Sequence, residues 1–257
     1  ISVSEVPTPT LYQASVILVG AGSKQGTLGD ERFTYDARHY LVCTSPVPML
    51  CRTLASPGAP LLSLAVGIEL PQLRELLIDL DELPSAKPSR PARSVYRAPL
   101  APELEDAGVR LLECLGDERR TQALARATVR EILFHVLAGP FGDSLRALAE
   151  GPTSQMAAVL RYMNTRFAQH HSIAALAQMA HMSVPTFHQH FKAMTASSPL
   201  QYLKAIRLTR ARQMLRAGAS VKTVAHDVGY ASESQFSREY RRFFGAAPSA
   251  SIDRGAA

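Results

Sequence analysis

Residues 11–19, 27–35, 40–43 and 61–68 are short runs of β-branched and aromatic side chains, separated by clusters of Gly, Pro and Asp. Runs of that length and spacing predict strands of a small antiparallel barrel or sandwich. After Pro71 the period lengthens. Leu73, Leu76, Leu77 and Leu80 recur at helical spacing and predict one amphipathic helix. Residues 84–91 carry three prolines in eight positions and read as a loop. From Pro102 to Glu150 the pattern is helical again, through Leu104, Leu111 and Leu115, then Val129, Ile132 and Val136. Gly139-Pro140 interrupts it, and a short helix is expected from Asp143. Charge, composition and period all change at Gly151-Pro152, which divides the chain into 1–152 and 153–257. The first part is then a barrel to about residue 70 with helices over about 71–150.

The second part repeats itself. Leu176, Ala177 and His181 lead into Ser183, Phe187, Phe191 and Pro199, while Val224, Ala225 and Gly229 lead into Ser232, Phe236, Tyr240 and Pro248. From Ser183 and Ser232 onward the offset is 49 throughout. Each copy reads as helix, tight turn, helix. Gly229 suits a turn with positive φ, and His181 at the matching place is one of the few other residue types tolerated there. Ser183 and Ser232 are expected N-caps, and Ser232 with Gln235 fits a capping box. Between the copies, Ser198-Pro199 predicts the start of a helix running to about Gly218. About 18 residues at roughly 1.5 Å each give a rod near 27 Å, long enough to hold two second helices about one DNA turn apart.

The i, i+4 aromatic pairs Phe187/Phe191 and Phe236/Tyr240 must face a core. At 100° per residue, that leaves Pro185, Gln189 and Lys192 on the opposite face of the first copy, flanked by His188, with Ser183 and Thr186 at the helix start. The second copy presents Ser234, Arg238 and Arg241 there, flanked by Ser237, with Ser232 and Gln235 at the start. A polar face of this kind on a capped helix suits base edges in the major groove. Charge agrees: residues 153–257 hold 13 basic and 4 acidic side chains, whereas residues 1–152 hold 15 and 18. The basic part calls for a polyanion partner, double-stranded DNA.

Residues of about 155–250 resemble the double helix-turn-helix domain of the AraC/XylS transcription regulators. The likeness is carried by Val228-Gly229-Tyr230, Ser232, Phe236, Arg238, Tyr240, Phe243-Phe244-Gly245 and Pro248, and by Ser198-Pro199-Leu200, Arg207-Leu208 and Ala211-Arg212. Ser249-Ala250-Ser251 departs from the family pattern, which usually has Tyr after this proline, and so do Pro185 and Gln189. Residues 28–35 and 39–42 are similar, more weakly, to the cupin-like N-terminal domain of that family. The resemblance implies an α+β chain: a cupin-like antiparallel β-barrel with a helical dimerisation segment, then an all-α double helix-turn-helix domain. It also implies promoter binding in activation or repression, a contact with RNA polymerase, and a small-molecule effector, a homodimer, or both.

An effector inside the barrel mouth would meet Tyr12, Phe33, Tyr35, His39 and Tyr40. A two-fold interface between helices would use Leu111, Leu112, Leu115, Ile132, Leu133 and Val136. Rival readings fare worse. The Gly-rich stretch 20–26 precedes an expected strand rather than the helix a phosphate loop must open. A cupin-like metal-dependent enzyme fused to a DNA-binding module needs a ligand cluster, and residues 1–152 contain only His39 and His135 as histidines. No nucleophile–base arrangement stands out either, so neither enzyme activity, metal nor cofactor is expected. Cys43, Cys51 and Cys114 read as buried free thiols of a reducing compartment. No apolar run approaches the ~18 residues of a membrane helix, and no leader-like start precedes residue 11, so the expected location is the cytoplasm.

Overall fold

The computed structural model describes residues 7–56, 59–80, 93–149 and 151–252. It is α+β. Among the described residues, eight strands come first: β1 Thr8–Tyr12, β2 Ser15–Ala21, β3 Ser23–Leu28, β4 Glu31–Asp36, β5 His39–Cys43, β6 Val47–Leu54, β7 Leu62–Gly67 and, after helix α1 Leu70–Asp79, β8 Val95–Pro99. They form two four-stranded sheets, ordered β1-β6-β3-β4 and β7-β2-β5-β8, with every pairing antiparallel.

The sheets enclose Ile17, Val19, Tyr35, Leu41, Cys43, Val47, Met49 and Cys51. The outer face of the second sheet carries Val16, Leu18, Tyr40 and Val42, and these pack against α1 and three further helices: α2 Pro102–Leu115, α3 Glu118–Ala138 and α4 Gly142–Arg146. Strands β2 and β5 are therefore buried on both faces, which is why their sequences read as unbroken apolar runs. Asp117 separates α2 from α3 and caps α3, accepting from the N–H groups of Arg119 and Arg120 at 2.8 and 3.1 Å.

Several expected strands come out differently. Residues 11–19 split into β1 and β2, and residues 27–35 fold into the β3–β4 hairpin around Gly29. Strands β3, β6 and β8 carry too weak an apolar signal to be expected. In β6 only every second residue is buried, and Pro48 interrupts the pattern. The stretch 20–26 is the sharp link from β2 into β3, with no helix after it. The Pro-rich loop expected over 84–91 lies outside the described residues.

Among the described residues six helices follow: α5 Gly151–Thr165, α6 Ile173–Met179, α7 Val184–Thr195, α8 Pro199–Arg216, α9 Val221–Asp227 and α10 Glu233–Phe244, then a 3₁₀ turn Pro248–Ser251. They build two cores. Phe187 and Phe191 close one with Met156, Leu160, Leu176, Tyr202 and Ile206. Phe236 and Tyr240 close the other with Leu208, Leu215, Val224 and Val228. The first core touches the sheets. Leu11 packs on it, the Tyr202 hydroxyl donates to the Pro46 carbonyl at 2.6 Å, and the Ser94 N–H donates to the Met194 carbonyl at 3.1 Å. Helix α5 serves both sides, since its Ala157 joins the helix–sheet core while Met156 joins the first helical core.

Candidate nucleic-acid interface

The two helix pairs α6–α7 and α9–α10 turn in the same way. In the first, His181 takes φ 53°, its N–H donates to Gln178 O at 2.9 Å, and Met182 N–H donates to Ala177 O at 3.0 Å. In the second, Gly229 takes φ 85°, with the matching bonds to His226 O at 2.9 Å and from Tyr230 N–H to Ala225 O at 2.9 Å. Glycine is required at the second turn for a further reason: a Cβ there would stand 2.2 Å from the Ala168 carbonyl oxygen. Ser183 caps α7 by accepting from Thr186 N–H at 3.3 Å, and Ser232 caps α10 by accepting from Gln235 N–H at 3.4 Å. The reciprocal capping box expected at Ser232 does not form, because the Gln235 side chain turns to Glu239 instead. A complete box stands at Ser198 and Gln201, at the head of α8.

Phe187, Phe191, Phe236 and Tyr240 are fully buried, as their spacing requires. Ser183, Pro185, Thr186, His188, Gln189 and Lys192 are all exposed on α7 and its cap. On the second unit Ser232, Ser234, Gln235, Arg238 and Arg241 are exposed, and Ser237 is half-buried. Arg238 makes no ion pair among the described residues. The neighbouring carboxylate, Glu239, is engaged elsewhere: it takes Lys204 Nζ at 2.9 Å and the Tyr230 hydroxyl at 2.9 Å. Partial burial raises the Glu239 pKa, but those two partners outweigh it and hold the carboxyl below its ordinary range.

Helix α8, 18 residues long, bridges the two units. Its Arg207 donates to the carbonyls of Phe167 at 2.7 Å and Gln169 at 3.0 Å before α6, and to that of Gly229 at 3.2 Å in the second turn. This clamp escaped the sequence reading, since one Arg on a basic helix gives no sign of convergent carbonyls.

Known proteins show the same two parts. The family described as AraC-type transcriptional regulator N-terminus matches residues 1–144, more than half of the chain. The chain belongs to this AraC-type family. A helix-turn-helix domain family matches residues 176–254 of the regulator. It is similar to the HTH-type transcriptional activator RhaS of Escherichia coli O139:H28, 33% identical over 121 residues, which cover 46% of this chain and 44% of that protein. RhaS of Citrobacter koseri is 32% identical over 139 residues, covering 53% of this chain and 49% of that one. The matched segment thus spans about half the length of these curated relatives. The fold of this chain is similar to that of ToxT from Vibrio cholerae. A 1.65 Å structure of ToxT covers 100% of this chain and 96% of its own at TM-score 0.64 and 11% identity. An unsaturated-fatty-acid-bound ToxT superposes at TM-score 0.60 and 12% identity, covering 98% and 96%.

The expected effector residues do not converge on one pocket. Tyr12 and Tyr35 meet hydroxyl to hydroxyl between the sheets, with Lys24 Nζ donating to the Tyr12 oxygen at 3.1 Å. Burial pushes both phenols well above their ordinary range. Tyr40 points the opposite way, into the helix–sheet core. His39 is half-buried at a strand end beside Asp36, and Phe33 lines an open cleft. Strand alternation explains the scatter: residues one apart on β5 face opposite sides of the sheet.

The residues of the expected dimer face divide between core and surface. Leu111, Ile132, Leu133 and Val136 are at most 4% exposed inside the chain's own core, where α2 and α3 cover the sheet, so they present nothing to a partner. Leu112 and Leu115, each 55% exposed, do face outward, together with Val109. The cysteines Cys43, Cys51 and Cys114 are buried and unpaired. No described helix is long and apolar enough to cross a membrane.

Proposed function

We propose that this AraC-type regulator reads double-stranded promoter DNA through α7 and α10, in two successive major grooves of one duplex face. The observation that carries this is the duplicated unit: a left-handed turn, a serine-capped helix, a buried aromatic pair and an exposed polar face, twice on one bridging helix. In this reading Arg238 bonds a guanine edge and Gln189 favours adenine, since their amide and guanidinium groups fit those bases with paired hydrogen bonds. Pro185 and Thr186 give apolar or single contacts. His188, Ser234, Gln235 and Ser237 sit beside the base-reading positions. Lys192 and Arg241, nearer the helix ends, bond phosphates, and Ser183 and Ser232 set the helix starts against the backbone.

The division falls near residue 152, with residues 153–257 as the DNA-binding domain and the preceding part as effector and dimerisation domain. The two-fold interface uses the exposed Val109, Leu112 and Leu115 stripe of α2. The chain works in the cytoplasm, contacts RNA polymerase at the promoter and responds to a small molecule; in support of the last, ToxT, which shares this fold, has been solved with an unsaturated fatty acid bound. Catalysis has no part in this reading. Selecting bound sequences from random DNA with the full chain tests it. Two conserved elements about one helical turn apart are expected; a pool with no enriched sequence sinks the proposal.

A further inference from the structure

Strands β1, β4, β7 and β8 stand at sheet edges, and three of them carry residues that keep an open edge from pairing. Strand β1 has Pro9, β4 has Glu31, Arg32 and Asp36, and β8 has Arg97 and Pro99. Strand β7, with the sequence Leu-Ser-Leu-Ala-Val-Gly, has neither charge nor proline. One bond shows which of its backbone groups are free. The Ile68 N–H donates to Ala14 O at 3.0 Å. Antiparallel alternation then turns the backbone groups of Val66 and Leu64 toward β2, and those of Ser63, Ala65 and Gly67 away from it. These three residues are exposed, and among the described residues their outward N–H and C=O groups meet no partner.

We infer that β7 pairs antiparallel with β7 of a second copy of this chain, about a two-fold axis at Ala65. The β7-β2-β5-β8 sheets of the two copies then join into one. With the axis there, Ser63 faces the partner's Gly67 and Ala65 faces the partner's Ala65, so every outward N–H and C=O finds a mate. A foreign peptide fits this edge less well. Added peptide strands are held by main-chain bonds but selected by side-chain pockets, and Ser63, Ala65 and Gly67 shape none. The pairing rests on the homodimer reading above, to which it adds a backbone contact.

Two strands alone pair only marginally in water, and α2 supplies the apolar contact that the edge lacks. This helix crosses β2 and β7 closely at Gly108, where a Cβ would stand 2.6 Å from Leu18 Cδ1 and 4.0 Å from Leu64 Cδ2. Arg110, about 160° around the helix from Gly108, reaches Glu131 of α3. Leu112 and Val109 lie about 40° and 100° from Gly108 in the opposite sense, away from α3 and on the side of the β7 edge. The exposed α2 stripe and the exposed Leu62 of β7 thus border the same edge. A two-fold axis through that edge, perpendicular to the sheet, keeps both helix layers on one face of the joined sheet and turns the two stripes toward each other.

The test combines sedimentation of the full chain with oxidative crosslinking. Ala65→Cys, oxidised with copper phenanthroline, is expected to give a disulfide-linked dimer, because residues opposed in this way stand about 5.5 Å apart at Cα, within disulfide reach. Wild type, whose cysteines are buried, and Arg32→Cys on the guarded edge of β4 should give none. Ala65→Pro removes one outward donor from each copy and should weaken dimerisation at least about tenfold, with melting of the dilute chain near wild type. Ala65→Lys, which sets two like charges opposite each other, repeats the measurement should proline disturb the strand. A wild-type dimer that Ala65→Lys leaves intact, or that yields no link from Ala65→Cys, overturns the strand pairing and leaves the helix contact of the homodimer reading standing. A wild type that is monomeric at tens of micromolar overturns both, and slow exchange of its Ala65 amide would then place a segment of the same chain on this edge.

Discussion

The Arg207 guanidinium meets the Gly229 carbonyl at 3.2 Å and the Phe167 carbonyl at 2.7 Å, so one side chain of α8 joins the loop before the first unit to the turn of the second. Both carbonyls lie outside regular ladders, and a charged donor there is worth about 1.5–3 kcal/mol per bond. Arg207→Ala is expected to destabilise the chain by about 2 kcal/mol in urea unfolding. It should also loosen the spacing of the two reading helices. Wild type should discriminate strongly against an operator with one base pair inserted between its elements; the variant should discriminate less. Unchanged discrimination would show that α8 alone sets the spacing.

Arg238 and Arg241 share a helix but are assigned different tasks, and salt separates them. Arg238→Ala should cost about 1–3 kcal/mol on the specific site and relax preference at one base pair. Lys192→Ala and Arg241→Ala should weaken all sequences alike and lower the salt slope by about one each. Titrations on matched and single-mismatch duplexes at two salt concentrations check this. Equal losses on every duplex would make Arg238 a phosphate ligand.

The exposed stripe of α2 can be probed apart from the core beneath it. Leu112→Glu with Leu115→Glu should give a monomer by sedimentation with unfolding stability close to wild type. Ile132→Ala, by contrast, should lose about 2–5 kcal/mol of stability, since it empties a fully buried position. A wild type that sediments as a monomer at tens of micromolar removes the two-fold interface from the proposal.

Glu239 makes acid stability a local question. Its pKa is held below the ordinary carboxylate range by Lys204 and the Tyr230 hydroxyl, against the rise from partial burial. A carboxylate with a depressed folded pKa stabilises the fold fully above its unfolded value, and that contribution vanishes as pH falls through the folded one. Wild type should therefore lose more stability than Glu239→Gln between pH 6 and about pH 3. Parallel pH dependences in urea unfolding would show that the Lys204 pair contributes nothing.

The helical part was readable from sequence because its signals are local. Caps, turns and i, i+4 aromatic pairs sit within a dozen residues, and a second copy confirmed each. Even the C-cap of α7 repeats, with Ala196 at φ 54° where α10 has Gly245 at φ 75°. The sheets were harder. Strand β3, with the sequence Ser-Lys-Gln-Gly-Thr-Leu, has a single buried position, Gly26, roofed by the Phe33 ring, so its strand character comes from its neighbours and not from its own pattern. Which side of a strand is core and which is cleft depends on the partner sheet. Tyr35 and Tyr40 looked like one aromatic wall and belong to different cores. Burial of Leu111, Ile132, Leu133 and Val136 had the same origin: helical periodicity shows that a face is apolar, not what covers it.

The bond from Tyr202 to Pro46 has a partner-free counterpart. Among the described residues, none from the sheets enters the core around Phe236 and Tyr240, whereas Leu11 enters the one around Phe191. The two reading heads are copies in shape but not in allegiance. One is leashed to the sheets, while the other is held by α8 and by the loop around Phe167. A signal that arises in the sheets should thus be felt unequally along the operator: the half gripped by α10 is expected to serve as a constant anchor, and the half gripped by α7 to decide how strongly the signal is heard.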